Sequence, residues 1–433
     1  MIFKEALSPE RQASSQHNYC MFNVINGLSY MCLGETVLIL LAVQLGCPDY
    51  FISTLGAMLY FGFLLLPLGK IMTARVGAAR AQAYFWVARN GAALMVASAS
   101  VFGYFGMMKT AMALLLIGSF FFYGFRAAGV VMSQPLIGDF TDDRNRARVI
   151  AVSVGLFYVS CLIALLTISF VLHLSPSLWT LTGIVVVGAC LGFTSSRFLA
   201  RIDETENIRR SARRPILPEL KNILGTVTIR RQIMAGFMVN LGVIMLVPVS
   251  MLALKRGYGV SDTDALMFAL VQFTACAVMS FLSGKVAAVI GPRKTILIGY
   301  ILLLSIGVLW LVAPASLNGF YMALPFFFAG GTMVSMNNSV THYFLQTVPP
   351  ENRVAASMFV SVVTGACSGV VGMILAGFLL KLCITDPGDL LAGYRVYFLV
   401  AALLLSPGIW LISRLTPLPS EKRRLPKSWQ DVR

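Results

Sequence analysis

The sequence predicts an all-α polytopic membrane protein, with twelve transmembrane helices in two pseudo-symmetric six-helix bundles. Three observations carry that expectation. Of the 433 residues, 58% are hydrophobic and only 12% charged, against roughly 45–50% and 25% in a soluble domain. A globule of this length needs a charged surface to stay dissolved, so a water-soluble enzyme is excluded. Twelve apolar runs follow one another, each about long enough to cross a bilayer. The second half of the chain also echoes the first at an offset near half the length, as two repeated six-helix units would.

The runs fall at 19–45, 50–75, 81–104, 110–137, 148–173 and 178–198 in the first half. In the second half they fall at 233–254, 263–290, 295–313, 319–348, 354–382 and 394–415. Each is bounded by charges, Pro or Gly, the hydropathy pattern of spanning helices. Spanning strands would alternate apolar and polar over about ten residues, and no run does so. The expected organisation is an N-terminal bundle over 1–198, a basic linker over 199–232, a C-terminal bundle over 233–415 and a tail over 416–433. The linker carries Arg201, Arg209, Arg210, Arg213, Arg214, Lys221, Arg230 and Arg231. Its Ile216, Leu220, Ile223, Leu224 and Val227 recur at helical spacing, which fits either an amphipathic helix on an anionic membrane surface or a solvated linker.

Topology accounts for the basic balance. There are 34 Lys and Arg against 18 Asp and Glu, a net charge of +16. Counted in alternate connections, 27 basic residues lie on one side and 5 on the other, with Arg89 and Arg126 inside helices. The positive side is cytoplasmic, which puts both termini in the cytoplasm of a multi-pass protein of the cytoplasmic (inner) membrane, with no nucleic acid partner required. Residues 1–18 are polar and lack the apolar core of a removable signal peptide. The eight Cys include no Cys-x-x-Cys and mostly sit in apolar runs, so neither a metal site nor a disulfide framework is expected.

The repeat is visible in three places. Gly69, Lys70, Gly77 and Arg80 answer to Gly284, Lys285, Gly291, Arg293 and Lys294, each set between the second and third helices of its half. Asn145-Arg146 and Asn352-Arg353 each follow a fourth helix, and Leu41-Ala42 with Gly46 recurs as Leu252-Ala253 with Gly257. On these residues, the twelve runs and the basic centre, the chain resembles the major facilitator superfamily over essentially its whole length. The second copy of that family's turn keeps Gly284, Gly291, Arg293 and Lys294 but has Ala288 where Asp is expected; the first keeps Arg75, Gly77 and Arg80, with one extra residue and no Asp. Asp139, at the cytoplasmic end of helix 4, is a candidate substitute that would pair with Arg75 as a cytoplasmic gate; a solvated pair of little energetic consequence is the alternative.

Intramembrane polar residues supply the candidate site. Glu35 is the one acid well inside a predicted span, and a carboxyl there is costly unless paired, neutralised or facing water. It is the candidate proton-coupling group, with a static ion pair to Arg126 as the alternative. Arg126 shares a helix 4 face with Ser119, Tyr123 and Ser133, and its planar fork suits a substrate carboxylate or phosphate. Residues 126–129, Arg-Ala-Ala-Gly, are similar to the Arg-and-Gly motif of proton-linked family members, one residue short. Arg89 reads as a structural residue of a peripheral helix, its side chain snorkelling to the interface. Asn23 and Asn26 in helix 1, Asn240 in helix 7, Gln272 in helix 8, and Asn337 and Asn338 in helix 10 are further substrate-binding candidates, each equally a source of interhelical hydrogen bonds. In helix 10, Ser335, Asn338, His342 and Gln346 share one face and read as a second cavity wall.

The function expected is secondary active transport of a small polar or anionic solute by alternating access, as a proton-coupled (or sodium-coupled) symporter, acting as a monomer in the lipid bilayer without a cofactor. An exporter or facilitator of drugs or lipids remains open, although helix 5 lacks the Gly-Pro pair usual in drug exporters. A non-transporting receptor or a membrane enzyme stays a rival, but the three His are scattered and no catalytic motif is present. The charge count predicts the result of cysteine labelling in a background without native cysteines. Cysteines placed at Pro48, Pro176 and Asn318 should react from outside, and those at Arg210 and Ser420 only from inside; outside labelling at Arg210 would contradict the topology.

Overall fold

The computed structural model describes residues 1–384 and 389–417. Twelve of its helices are long and apolar enough to cross a membrane. The first six are Pro9–Gln44, Met58–Val76, Ala78–Tyr104, Met108–Phe140, Arg146–Leu174 and Leu178–Ala200, here helices 1–6. Helices 7–12 are Val227–Gly257, Met267–Ala287, Pro292–Leu311, Gly319–Thr347, Pro350–Cys383 and Leu390–Ser413. Helix 1 starts ten residues before its apolar run because Pro9 at the first helical position and the polar turn that follows extend the same helix. The expected tail over 416–433 lies almost wholly outside the described residues.

Several spans are interrupted. Helix 1 stops at Cys32 and restarts at Glu35, with Gly34 extended (ψ 161°) between the two segments. Helix 4 breaks after Val130 and resumes at Ser133. Helix 2 tightens to a 3₁₀ turn over Gly62–Leu65 just before Pro67, and helix 11 widens to a π turn over Val362–Cys367. In lipid such irregular backbone persists only where protein or water satisfies the freed groups.

Two compact units are present. One comprises Met1–Asp142, Leu156–Glu219 and Pro350–Met358; the other comprises Asp143–Gly155, Leu220–Pro349 and Phe359–Arg433. The partition differs from the 1–198 and 233–415 bundles expected from sequence at the starts of helices 5 and 11. Within the second unit, Ser280 donates to the Ala151 carbonyl at 3.0 Å. Within the first, Ser357 donates to the Val131 carbonyl at 2.8 Å, and Arg353 to that of Gly138 at 3.2 Å.

Inside each unit the same helix pairs make the closest approaches. Helices 2 and 4 meet where a Cβ on Gly69 would lie 2.3 Å from the Ala128 carbonyl oxygen; helices 8 and 10 meet where one on Gly330 would lie 2.1 Å from that of Gln272. Helices 1 and 5 touch at Gly27 and Phe157, and helices 7 and 11 at Gly236 and Thr364. Helices 3 and 6 touch at Asn90 and Gly192, and helices 9 and 12 at Gly307 and Phe398. The repeat legible in sequence is thus a repeat of packing, carried by small residues because lipid tails leave helices no hydrophobic reason to associate.

The linker folds as two short helices, Glu206–Arg213 and Ile216–Gly225. Leu224 is exposed, but Ile223 is buried, and Glu219 forms a buried ion pair with Lys70 of helix 2 at 3.1 Å. The second helix therefore packs on protein, where a helix lying on the membrane surface, or a solvated linker, was the expectation. Just before it, Ile2–Phe3 pairs in parallel with Glu204–Thr205. The Glu204 carboxylate accepts the Ala78 and Ala79 N–H groups at 2.7 and 3.2 Å, capping helix 3, while burial pushes its pKa up to about 7.

The glycine contacts give a test. Gly69→Ala and Gly330→Ala each place a methyl against backbone that cannot rotate away, which should cost about 1–3 kcal/mol and lower the melting temperature in detergent. Gly183→Ala, with nothing within 4 Å of the added carbon, should leave it unchanged. Equal melting of all three would contradict the packing account.

Candidate functional site

The polar residues of the first unit converge on Arg89. An Arg-Asn pair at positions 89 and 90, with Trp86 one turn earlier, puts three polar groups on one side of an otherwise apolar helix. Arg89 is 1% exposed, so it does not snorkel to the interface as its sequence context predicts. Its Nη1 donates to Asn26 Oδ1 at 3.3 Å, its Nη2 to Ser29 Oγ at 3.2 Å and to Asn90 Oδ1 at 3.1 Å. The Trp86 and Phe122 rings lie 4.9 and 5.5 Å from its central carbon, giving cation–π support in a dry site.

The network fixes its neighbours. Asn26 Oδ1 also accepts the Trp86 indole N–H at 2.9 Å, which turns the amide NH₂ of Asn26 away from both donors. Ser29 donates to the Gly188 carbonyl at 2.7 Å, so its oxygen is left to accept from Arg89. A Cβ on Gly192 would meet Asn90 at 2.2 Å, and only glycine admits that side chain against helix 6. Helices 1, 3, 4 and 6 are joined through one guanidinium.

Arg126 lies on the same side of the unit. It is half-buried, and its guanidinium carbon stands 4.8 Å from the centre of the Tyr30 ring, which in turn packs on Phe157 at 5.6 Å. Arg89 and Arg126 rest on consecutive residues of helix 1, Ser29 and Tyr30. Among the described residues neither takes part in any of the four ion pairs. Glu35 opens the second segment of helix 1 at the Gly34 break; its side chain lies outside the described residues, so neither the proton role nor the pairing with Arg126 is decided by geometry.

The other first-unit candidates take separate places. Tyr123 and Ser119 are buried: Tyr123 packs in the apolar core beside Gly62, and the Ser119 hydroxyl has no hydrogen-bond partner among the described residues. Asn23 turns back to its own helix, donating to the Tyr19 carbonyl at 2.8 Å. Ser133 accepts from Gln82 Nε2 at 2.9 Å. The expected Arg75–Asp139 gate pair is not formed. Asp139 accepts from the backbone N–H of Thr205 and from its hydroxyl, the latter at 2.6 Å, while Arg75 is exposed at the end of helix 2. The ladder brings Thr205 to Asp139 first, a contact between distant segments that sequence spacing does not reveal.

In the second unit the candidates do not assemble. Asn240 donates to the Gly236 carbonyl of its own helix at 3.0 Å, Gln272 is half-buried and Asn337 is exposed. Asn338 donates to Ser283 at 2.9 Å and Ser280 at 3.3 Å, bonding helix 10 to helix 8. His342, buried below it, lines a small space with Ala147, Ser283 and Ser339, and its Nδ1 has no partner among the described residues. The helix 10 stripe read as a cavity wall thus includes residues that serve packing on helix 8. The residues missed from sequence are Ser29, Trp86 and Asn90; the polar triplet in helix 3 was the available signal.

Comparisons with known proteins agree with this architecture. Solved structures similar to the chain include the transporter FucP in the outward conformation, at 12% identity and a TM-score of 0.65 over 92% of this chain and 98% of that one. The proton:xylose symporter XylE bound to 6-bromo-6-deoxy-D-glucose is 13% identical, with a TM-score of 0.65 over 92% and 95%. The human organic anion transporter MFSD10 is 13% identical, with a TM-score of 0.67 over 93% and 99%. These likenesses concern the fold. Among curated proteins no sequence match is found. The sequence profile of the Major Facilitator Superfamily matches residues 19–373 and again 233–433, and with twelve spanning helices in two repeated sets the chain belongs to that superfamily of membrane transporters.

Proposed function

We propose that the protein is a secondary active transporter that carries a small anionic or polar solute across the cytoplasmic membrane by alternating access, as a proton-coupled symporter. The observation that carries the anionic preference is the pair Arg89 and Arg126: two guanidiniums held on the consecutive helix 1 residues Ser29 and Tyr30, within one unit, and neither ion-paired among the described residues. Excess positive charge in a low-dielectric setting is relieved by an anion more than by a neutral or cationic solute.

In this reading Arg126 is the ligand contact. Its half-buried fork rests on Tyr30, which holds it flat for two parallel bonds to a carboxylate or phosphate. Arg89 acts behind it, raising the local potential and orienting the Asn26 amide. Glu35 is the proton carrier. A helix N-terminus favours its carboxylate and the surrounding bilayer disfavours it, and opposing terms of that kind suit a group that changes charge during a cycle. Structures similar in fold include an organic anion transporter and a proton:xylose symporter, which supports both parts of the reading. Cytoplasmic termini rest on the distribution of Lys and Arg.

Two variants test it in proteoliposomes. Arg126→Lys keeps the charge but loses the fork, so uptake should fall at least about tenfold while insertion and melting stay normal; uptake within twofold of wild type would remove the clamp. Glu35→Gln mimics the protonated form, so solute exchange should survive while accumulation driven by a pH gradient fails. Unchanged proton-driven accumulation would exclude Glu35, and accumulation that follows sodium and ignores pH would replace the proton.

A further inference from the structure

The second unit holds a groove that the transport reading leaves unused. It has a volume of about 150 Å³ and lies between helices 8, 9 and 10. Its walls are Val286 and Ile290 of helix 8, Ile298 and Leu302 of helix 9, and Phe327 and Gly331 of helix 10. Val286, Ile298, Leu302 and Phe327 are 38–48% exposed. Gly299 and Gly331 set its floor by letting neighbouring helices approach closely, since a Cβ on either would meet Met336 at 2.6 Å or Met279 at 3.0 Å. From Thr295 to Leu302 the groove follows helix 9 for about 10 Å at 1.5 Å per residue, roughly a third of the hydrocarbon thickness.

One end of the groove is basic. Helix 8 continues to Ile290, and Gly291 alone, at φ +88°, separates it from helix 9. Lys285 and Lys294 are therefore within about one and a half turns of the same junction. Lys294 shares its helix face with Ile298 and Leu302 at i, i+4 and i+8. Both lysines are exposed, and neither has an ion-pair partner among the described residues. Arg293 is engaged elsewhere, donating to the Ser413 carbonyl at 2.6 Å. Ser335, 7% exposed, lines the groove with its hydroxyl unpartnered among the described residues.

An apolar channel running into the membrane from a pair of free cations is complementary to an amphiphile with an apolar chain and an anionic head. We infer that this groove is a binding site for one anionic glycerophospholipid, its acyl chain between helices 8, 9 and 10 and its phosphate head between Lys285 and Lys294. The Ser335 hydroxyl meets an ester oxygen, and the lysine stems lie along the groove mouth with their ammonium groups at the headgroup level. The lipid belongs to the leaflet on the side of the basic linker, whose anionic surface attracts such lysines. The site is independent of the Arg89–Arg126 pair.

Native mass spectrometry of the delipidated full chain tests the inference, titrated with phosphatidylglycerol and, separately, phosphatidylcholine of the same chains. The wild type should bind a first phosphatidylglycerol more than tenfold tighter than phosphatidylcholine. Lys285→Ala with Lys294→Ala should weaken phosphatidylglycerol about 20-fold, near a factor of five per lysine at the membrane surface, and leave phosphatidylcholine unchanged. Ile298→Trp, which fills the groove at a half-exposed position, should weaken both lipids without lowering the melting temperature. Equal binding of the two lipids by the wild type, or phosphatidylglycerol binding unmoved by the lysine changes, would overturn the site. Binding lost with the lysines but untouched by Ile298→Trp would overturn it too, leaving a headgroup patch with no groove.

Discussion

A buried guanidinium with no carboxylate partner among the described residues organises the first unit. A charge in a dry interior is destabilising unless its donors are met, and Arg89 meets them with three neutral oxygens and two aromatic faces from helices 1, 3 and 4. Neutral partners solvate the charge and do not cancel it. Its field extends to Arg126, so the arrangement that fastens the helices also sets the electrostatic character of the site. An acid in place of Asn26 or Asn90 would fasten them as well, but would annul that character.

The rest of the architecture follows from the solvent. In lipid the helices gain little from hiding apolar surface, and close backbone approach becomes the source of contact. The glycines at 27, 69, 192, 236, 307 and 330 supply it at equivalent helix pairs in the two units. At 299 and 331 the glycines admit the Met336 and Met279 side chains, and the apolar groove lies beside those contacts, between helices 8, 9 and 10.

Much of the fold was legible because the bilayer imposes length and composition on each span. Twelve runs, their order and the half-chain repeat could be read directly. The start of helix 1 could not, since residues 9–18 are polar and continue a helix that hydropathy alone begins at Tyr19. The breaks at Gly34 and after Val130 were also hidden, as neither residue type requires one. In the polar cluster, Arg126 and Asn26 were singled out from their types in apolar surroundings as candidates, whereas Arg89 was expected at the interface and is buried. A long cationic side chain can reach either way from the same Cα, and the choice was made by Asn26, Ser29 and Trp86, whose proximity is tertiary. The Arg75–Asp139 pair was out of reach of sequence spacing for a related reason: Asp139 is engaged by Thr205, 66 residues away in sequence.

The central proposal is that Arg89 and Arg126, neither ion-paired among the described residues, present positive charge to the solute. Thermal-shift titration of the purified wild type with ligand pairs matched in size, each a carboxylate or phosphate and its uncharged counterpart, measures this directly. The account predicts that stabilisation comes from anionic members, weakens as salt screens the attraction, and is at least tenfold more sensitive in ligand concentration than for the neutral partners. Equal or stronger stabilisation by the neutral or cationic members would contradict it.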